Sequence, residues 1–242
     1  MKMKYFAFLL IFPNLAFALD RQEFNEVRTA LELAFSELRP DSSHSLHIND
    51  APGFGPDYWW QLPMVHASYS KLELQHETKH HIFLFGGFAR QPGMTKDGLA
   101  ETACHEIGHG IGGAPYKTSG SSTEGQADYF ATKTCLPIVF KHLQEQPSPN
   151  DPYLTHLCET YNPIDPHCLR SLKAIQSDVA YFRNYENADV AFDFASAIIA
   201  DTVNTDPTYY PEPQCRLDTA IHGALQLPRP RCWFPKGIQR AL

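Results

Sequence analysis

Apolar positions recur at helical spacing over the first part of the chain and again in several later segments. From Asp20 to Leu38 they return every three or four residues and Pro40 follows, which predicts an amphipathic helix. The later segments with this pattern are Asp97–His109, a stretch from about Thr123, His167–Phe182, Asp189–Thr202 and Arg216–Leu225. The chain is therefore predicted to be mostly helical.

Capping and breaking residues set the expected bounds of the two central helices. Asp97 is expected to cap the first of them, and the glycines that follow His109 are expected to end it. A polar loop over residues 117–122 leads to the second helix, which Pro137 should kink or end.

Two short segments, Met64–Tyr69 and His81–Phe88, are rich in β-branched and aromatic residues and predict strands. Residues 41–60 combine turn-forming residues with the pair Trp59–Trp60 and predict irregular chain with aromatic anchors, and the tail from Leu227 is also expected to be irregular. The pattern favours an α+β domain, mostly helical, with a small sheet near the centre of the sequence.

Composition adds that this is an ordinary globular chain. It has 242 residues, 43% of them hydrophobic, and its prolines and glycines are scattered rather than gathered in a linker. The net charge is −7 and no run of Lys or Arg occurs. A nucleic-acid partner is therefore not expected.

The N-terminus has the three parts of a signal peptide. A basic start over residues 1–4 precedes an apolar stretch over residues 5–15, and Ala16–Ala18 fits the small-x-small cleavage rule. We expect a signal peptide over 1–18, a single domain over 19–242, and export to the periplasm or secretion. Since no later stretch approaches the ~20 apolar residues of a membrane helix, no transmembrane segment is expected in the mature chain. The oligomeric state is left open.

Six cysteines in an exported chain predict a disulfide framework. Their spacing hints at three pairs, Cys104–Cys135, Cys158–Cys168 and Cys215–Cys232. A structural zinc cluster would need a closely spaced pair such as CxxC, and the sequence has none.

The segment His105-Glu106-Ile107-Gly108-His109 contains the candidate metal ligands and the candidate general base. Histidines at i and i+4 project from one face of a helix, at a separation that suits a single tetrahedral Zn²⁺. Glu106 is then the general-base candidate beside the open coordination position. A chain of this composition contains an HExxH string by chance with a probability of roughly three per cent, so the surrounding residues must indicate whether this one binds a metal.

A carboxylate beyond this helix completes the predicted site. Glu124 starts the next helix and is the candidate third ligand, and Asp128, one turn later, can accept the second N–H of a zinc-bound histidine. The alternative for Glu124 is an acidic residue favoured by the helix dipole. Four other histidines are expected to be solvated, namely His44, His47, His80 and His81.

These motifs resemble the gluzincin metallopeptidases of the HtpX and CAAX prenyl endopeptidase type. HEIGH followed by EGQADYFA matches the metal helix and third-ligand motif of that family, and the segments 85–88 and 96–101 resemble its edge strand and the lead-in to its metal helix. The resemblance covers about residues 80–135. It implies a zincin-like domain whose edge strand lies beside the HExxH helix, with Zn²⁺ bound by His105, His109 and Glu124.

A weaker resemblance lies further along the chain. The family carries a His-Pro-x4-Arg segment, and here Tyr210 and Arg216 stand at the same spacing. Both become catalytic candidates, and they compete with His222 for the role of oxyanion donor. The alternative is that Arg216 caps a helix and Tyr210 is a surface aromatic.

Together these observations predict an exported zinc endopeptidase. Its zinc-activated water would attack a peptide bond with Glu106 as general base. Its substrate would be an extended polypeptide added to the strand around Ile82–Gly87. The alternative is a secreted, disulfide-stapled binding protein without catalysis that retains a structural zinc site.

Overall fold

The fold is seen in a computed structural model that describes residues 18–236 and combines helices with a small sheet, so the α+β class is confirmed. The strands are β1 (His44–Ile48), β2 (Ala67–Glu73) and β3 (Thr78–Leu84). The helices are α1 (Arg21–Leu38), α2 (Pro56–Gln61), α3 (Gly86–Ala89), α4 (Lys96–Ile111), α5 (Glu124–Phe130), α6 (Leu136–Val139), α7 (Pro152–Tyr161), α8 (Cys168–Tyr185) and α9 (Pro213–Ala224). A π-helical turn over Ala131–Cys135 joins α5 to α6.

The sheet has the order β1-β3-β2, with β1 parallel and β2 antiparallel to β3. Both sides of β3 are therefore occupied, and the expectation that the strand around Ile82–Gly87 would pair with a substrate is wrong. The strand that packs against α4 and keeps one side unpaired within the described sheet is β2. Its neighbour β3 ends at Leu84, and the two glycines after it begin the short helix α3.

Residues 41–60 contain regular structure that the sequence pattern did not predict. Strand β1 pairs with β3 from His44 to Ile48, and Asn49 continues the pairing with its side chain, which donates to Leu84 O at 2.9 Å and accepts from Leu84 N at 2.7 Å. The short helix α2 follows. The five residues of β1 are too few to show a clear alternating pattern. This strand is stabilised by its pairing with β3, which a local pattern does not reveal.

The helix predicted over Asp189–Thr202 is wrong, and this segment is irregular. Side chains of α9 bind its backbone instead. Gln214 accepts from Ala191 N at 3.0 Å and donates to Ala191 O at 3.0 Å, and Asp218 accepts from Ser196 N at 2.7 Å. These bonds satisfy polar backbone groups that a helix would have paired internally.

The start of α4 also differs in detail from the prediction. Thr95 caps the helix by accepting from Gly98 N at 3.0 Å, so the expectation that Asp97 is the cap is wrong. Asp97 instead forms a two-bond pair with Arg170 of α8, at 2.8 Å for each bond. This pair attaches the first turn of α4 to α8.

Two apolar clusters form most of the core, and α4 belongs to the larger one. The larger lies between α1, the sheet, α4 and α6, and α1 contributes its fully buried face, including Phe24, Val27 and Leu31. The second joins α7, α8 and α9, with Leu172, Ile175 and Leu217 fully buried. Each such side chain stabilises the fold by roughly 1.5–3 kcal/mol relative to an exposed one. Helix α4 is thus buried in the larger cluster and also packs against α8, which belongs to the second.

All six cysteines form disulfides, in the three pairs that their spacing hinted at: Cys104–Cys135, Cys158–Cys168 and Cys215–Cys232. The first pair lies next to His105 and ties α4 to the π-helical turn after α5. Three disulfides are typical of a protein that folds in an oxidising compartment outside the cytosol.

The predicted signal peptide lies outside the described residues except for its last position, Ala18. Across residues 18–236, no helix combines the length and apolarity that a membrane crossing requires.

Candidate metal centre

Helix α4 presents His105, Glu106 and His109 to a cavity of about 520 Å³. The i, i+4 spacing places the two imidazoles on one face, where their ring centroids are 4.7 Å apart and their planes nearly perpendicular at 82°. Both nitrogen-bearing edges can therefore approach one point in the cavity.

The loop after α4 returns to the same helix and positions α5. Ser122 N donates to His109 O at 2.9 Å, and His109 Nδ1 lies 3.0 Å from Ser122 O. The second contact assigns the ring proton to Nδ1 and leaves Nε2 free to bind a metal. Gly108 permits the close packing, since a Cβ there would lie 3.0 Å from Ala127 Cα.

Glu124, the first residue of α5, meets both histidines. Its Oε2 lies 3.3 Å from His105 Nε2, its Oε1 lies 3.6 Å from His109 Nε2, and the ligand atoms of all three residues lie within 4.8 Å of one another. For metal–ligand bonds of about 2.0–2.1 Å a tetrahedron has edges near 3.4 Å. Within the described chain Glu124 Oε2 is buried without a hydrogen-bond partner, as expected of an atom that faces a cation. Two imidazoles and a carboxylate therefore form a buried group that can hold a metal ion.

The electrostatics of the site suit metal binding at two of the three ligands. Burial and the neighbouring His105 lower the pKa of His109 to about 4, so its imidazole is neutral. Burial alone would raise the pKa of Glu124, but the close contact with His105 at 3.3 Å and the charge of that imidazole outweigh it and hold that pKa well below its usual value. Glu124 therefore remains an anionic ligand.

Asp128 contacts the second ring nitrogen of His105, and Arg216 in turn binds Asp128. Asp128 Oδ1 lies 2.7 Å from His105 Nδ1. Arg216, on α9, donates to Asp128 through Nε at 3.1 Å and through Nη2 at 2.8 Å. Burial penalises the Asp128 carboxylate, yet Arg216 and His105 lower its pKa, so Asp128 is charged. Arg216 thus contacts the candidate ligand His105 only indirectly, through the carboxylate of Asp128.

We expect Asp128→Asn to weaken metal affinity by about 10- to 100-fold, because the amide is a poorer acceptor for His105 Nδ1–H and loses the charge that Arg216 binds. Titration with Zn²⁺ in competition with a chromophoric chelator measures this affinity. Asp189→Asn, at an exposed position that does not line the cavity, is the matched control. Equal affinities for the two variants would show that Asp128 does not act on the metal site.

Glu106 is buried but lines the same cavity. Burial is the main reason that its pKa rises to about 7, and the charge of Glu124 adds to the effect. A carboxyl group with a pKa near neutrality can both accept and return a proton, which is the property that a general base requires.

Lys117 is part of the site and was missed in the sequence, because its polar loop carries no periodic signal. Its Nζ donates to Glu124 Oε1 at 2.6 Å and to Pro207 O at 3.3 Å. The same ammonium lies 5.5 Å from the ring of Tyr210, which lines the cavity and is 60% exposed. His222 lies elsewhere, with its Nδ1 2.6 Å from Pro228 O, and does not line the cavity.

His80 is 1% exposed, so the prediction that it is solvated is wrong. Its Nε2 lies 2.8 Å from His44 Nδ1, and its Nδ1 lies 2.9 Å from the hydroxyl of Tyr69, another cavity-lining residue. Burial is the main cause that lowers the pKa of His80 to about 4. Gly110 of α4 leaves the necessary room, since a Cβ there would lie 2.5 Å from both His80 Nδ1 and Tyr69 Oη.

Comparisons with known proteins identify no relative of this chain. No protein-family model, no curated protein and no solved structure matches the chain.

Proposed function

We propose that this chain is an exported zinc-dependent endopeptidase with a zincin-like fold, similar to the gluzincins. The observation that carries the proposal is the convergence of His105, His109 and Glu124 around one point, with Glu106 beside them in the same cavity. Metal ligands alone would also suit a structural site. A buried carboxyl group that binds none of the three ligands and faces the cavity favours catalysis.

The three ligands fit zinc, since two imidazole nitrogens and one carboxylate oxygen form the His₂Glu set of open, catalytic zinc sites. Zinc bound there would act as a Lewis acid, which makes water more acidic and a peptide carbonyl more electrophilic. The arrangement also includes Asp128, whose Oδ1 lies 2.7 Å from His105 Nδ1, where a carboxylate can fix the orientation of a metal-bound imidazole.

Glu106 transfers the proton in the proposed reaction. It accepts a proton from water as the water oxygen bonds to the peptide carbonyl carbon, and it returns that proton to the amide nitrogen as the C–N bond breaks. Tyr210, which is largely exposed at the cavity, is the candidate donor to the developing oxyanion. Arg216 is a positioning residue, because its guanidinium is engaged by Asp128.

The substrate binds in extended form along β2. Ala67, Ser68 and Tyr69 of this strand line the cavity, and β2 has one side unpaired within the described sheet. A polypeptide that adds to this side forms backbone hydrogen bonds that depend little on its sequence. The disulfides and the signal-like N-terminus support a location in the periplasm or outside the cell.

We expect the zinc-loaded protein to hydrolyse unfolded casein, and we expect 1,10-phenanthroline to abolish the activity and added Zn²⁺ to restore it. Gel electrophoresis of casein digests, with metal content measured on the same samples, tests this. Stoichiometric zinc without hydrolysis of any polypeptide would instead identify the non-catalytic binding protein.

A further inference from the structure

The cavity continues beyond the metal ligands to an acidic end. Glu101 lies one turn before His105 on α4, Asp178 approaches from α8, and Glu186 follows the C-terminus of α8. All three line the cavity. Glu101, Asp178 and Glu186 together form an acidic pocket.

Glu101 forms no salt bridge with a basic side chain among residues 18–236. It is 4% exposed, and its side-chain hydrogen-bond partner is Asp178, which is itself a carboxyl group. Burial raises the pKa of Glu101, and the Asp178 charge adds to the effect. Burial likewise raises the pKa of Asp178. Two carboxyl groups in contact repel each other when both are charged, so this end of the cavity favours positive charge.

The cations that line the cavity are already engaged. Lys117 binds Glu124 and Arg216 binds Asp128, each at hydrogen-bond distance. Glu186 is exposed at the rim and forms no salt bridge with any residue in the described part of the chain. The charge of Arg216 also reaches Asp178, but the acidic pocket has three carboxyl groups and therefore still has more acidic groups than cations to neutralise them.

Two aromatic rings line the same cavity as these carboxyl groups. Phe88 and Tyr181 line the same cavity, and their ring centroids are 5.6 Å apart. Such rings can cover the alkyl stem of a long side chain while its charged end reaches the carboxylates. The pocket thus has the chemistry of a site for lysine or arginine.

Building on the proposed peptidase function, we propose that the acidic pocket binds a lysine or arginine side chain of the polypeptide substrate. The four-residue step from Glu101 to His105 spans about 6 Å along α4. An extended peptide advances about 3.3 Å per residue. The basic residue would therefore lie within two residues of the bond that is cleaved, and its cation would lie beside the carboxyl groups of Glu101 and Asp178.

The first test compares peptides that differ only in one charge. Mass spectrometry of casein digests identifies the cleaved bonds, and matched peptides then carry lysine or N-acetyl-lysine at each position within two residues of them. We expect at least a 10-fold higher kcat/KM for the lysine peptide. Asp178→Asn and Glu101→Gln should remove most of this preference, mainly through KM. Glu32→Gln, on the exposed face of α1, should keep it.

A substitution at an exposed residue tests the pocket without disturbing the buried carboxyl groups. Glu186→Lys lies at an exposed position, so it should fold normally, and we expect it to lower kcat/KM for the lysine peptide selectively. Equal cleavage of both peptides by the unsubstituted protein would overturn the proposed subsite while leaving the peptidase function intact.

Binding separates this inference from the proposed function. Fluorescence anisotropy with Glu106→Gln protein measures affinity for the labelled lysine and N-acetyl-lysine peptides without turnover. A lysine preference that Asp178→Asn removes would support the pocket even if no peptide were hydrolysed. Equal affinity for the two peptides would refute it.

Discussion

Glu106→Gln protein should retain its metal and lose peptide hydrolysis, with kcat lower by at least about 10²- to 10⁴-fold. The ligand atoms belong to His105, His109 and Glu124, so the substitution leaves the metal set intact. The amide cannot accept the proton that the carboxylate takes from water. Metal content by mass spectrometry and casein hydrolysis on the same preparation measure both effects.

A matched control for this experiment is Glu159→Gln, because Glu159 is exposed on α7 and does not line the cavity. This variant should hydrolyse casein at the unsubstituted rate. Retained activity in the Glu106 variant would remove Glu106 from the role of base. Loss of its metal would show instead that Glu106 contributes to binding.

Glu124→Gln should bind zinc much more weakly than the unsubstituted protein and lose activity with the metal. A neutral amide is a poorer ligand for a divalent cation than a carboxylate, and it leaves the charge of the cation less compensated. The substitution also removes the charged partner of Lys117, whose Nζ lies 2.6 Å from Glu124 Oε1. Zinc content after dialysis against a weak chelator measures the loss.

The same dialysis applied to Glu159→Gln distinguishes the third ligand from an unrelated acidic residue. We expect this control to keep stoichiometric zinc. Zinc retained by Glu124→Gln and lost by Glu159→Gln would overturn the assignment. Far-ultraviolet circular dichroism of both variants shows whether any loss of metal follows from unfolding.

Local patterns in the sequence were enough to predict the helix that carries the candidate ligands. The apolar face and the spacing of His105 and His109 placed both imidazoles on one side of α4, because helical geometry requires it. The same reasoning placed Glu124 and Asp128 one turn apart on the next helix. The amphipathic pattern of α1 likewise predicted a helix that the structure contains.

Predictions that depended on partners distant in sequence were less successful. The segment Asp189–Thr202 has apolar residues at helical spacing, yet Gln214 and Asp218 bind its backbone and it remains irregular. The polar strand β1 was missed because its stability comes from pairing with β3. In both cases tertiary contacts outweighed local propensity.

The sequence by itself determined the helical character of the chain, the spacing of the candidate ligands and the hint of three cysteine pairs, whereas the signal peptide stays a prediction. These features follow from neighbours within one or two helical turns or from composition. Only the tertiary structure decided that β2 is an edge strand packed against α4, that Lys117 contacts Glu124, that Arg216 binds Asp128, and that Glu101 contacts Asp178. The physical reason is that burial and charge pairing arise between helices and loops that only packing brings together, and no local pattern records those distances.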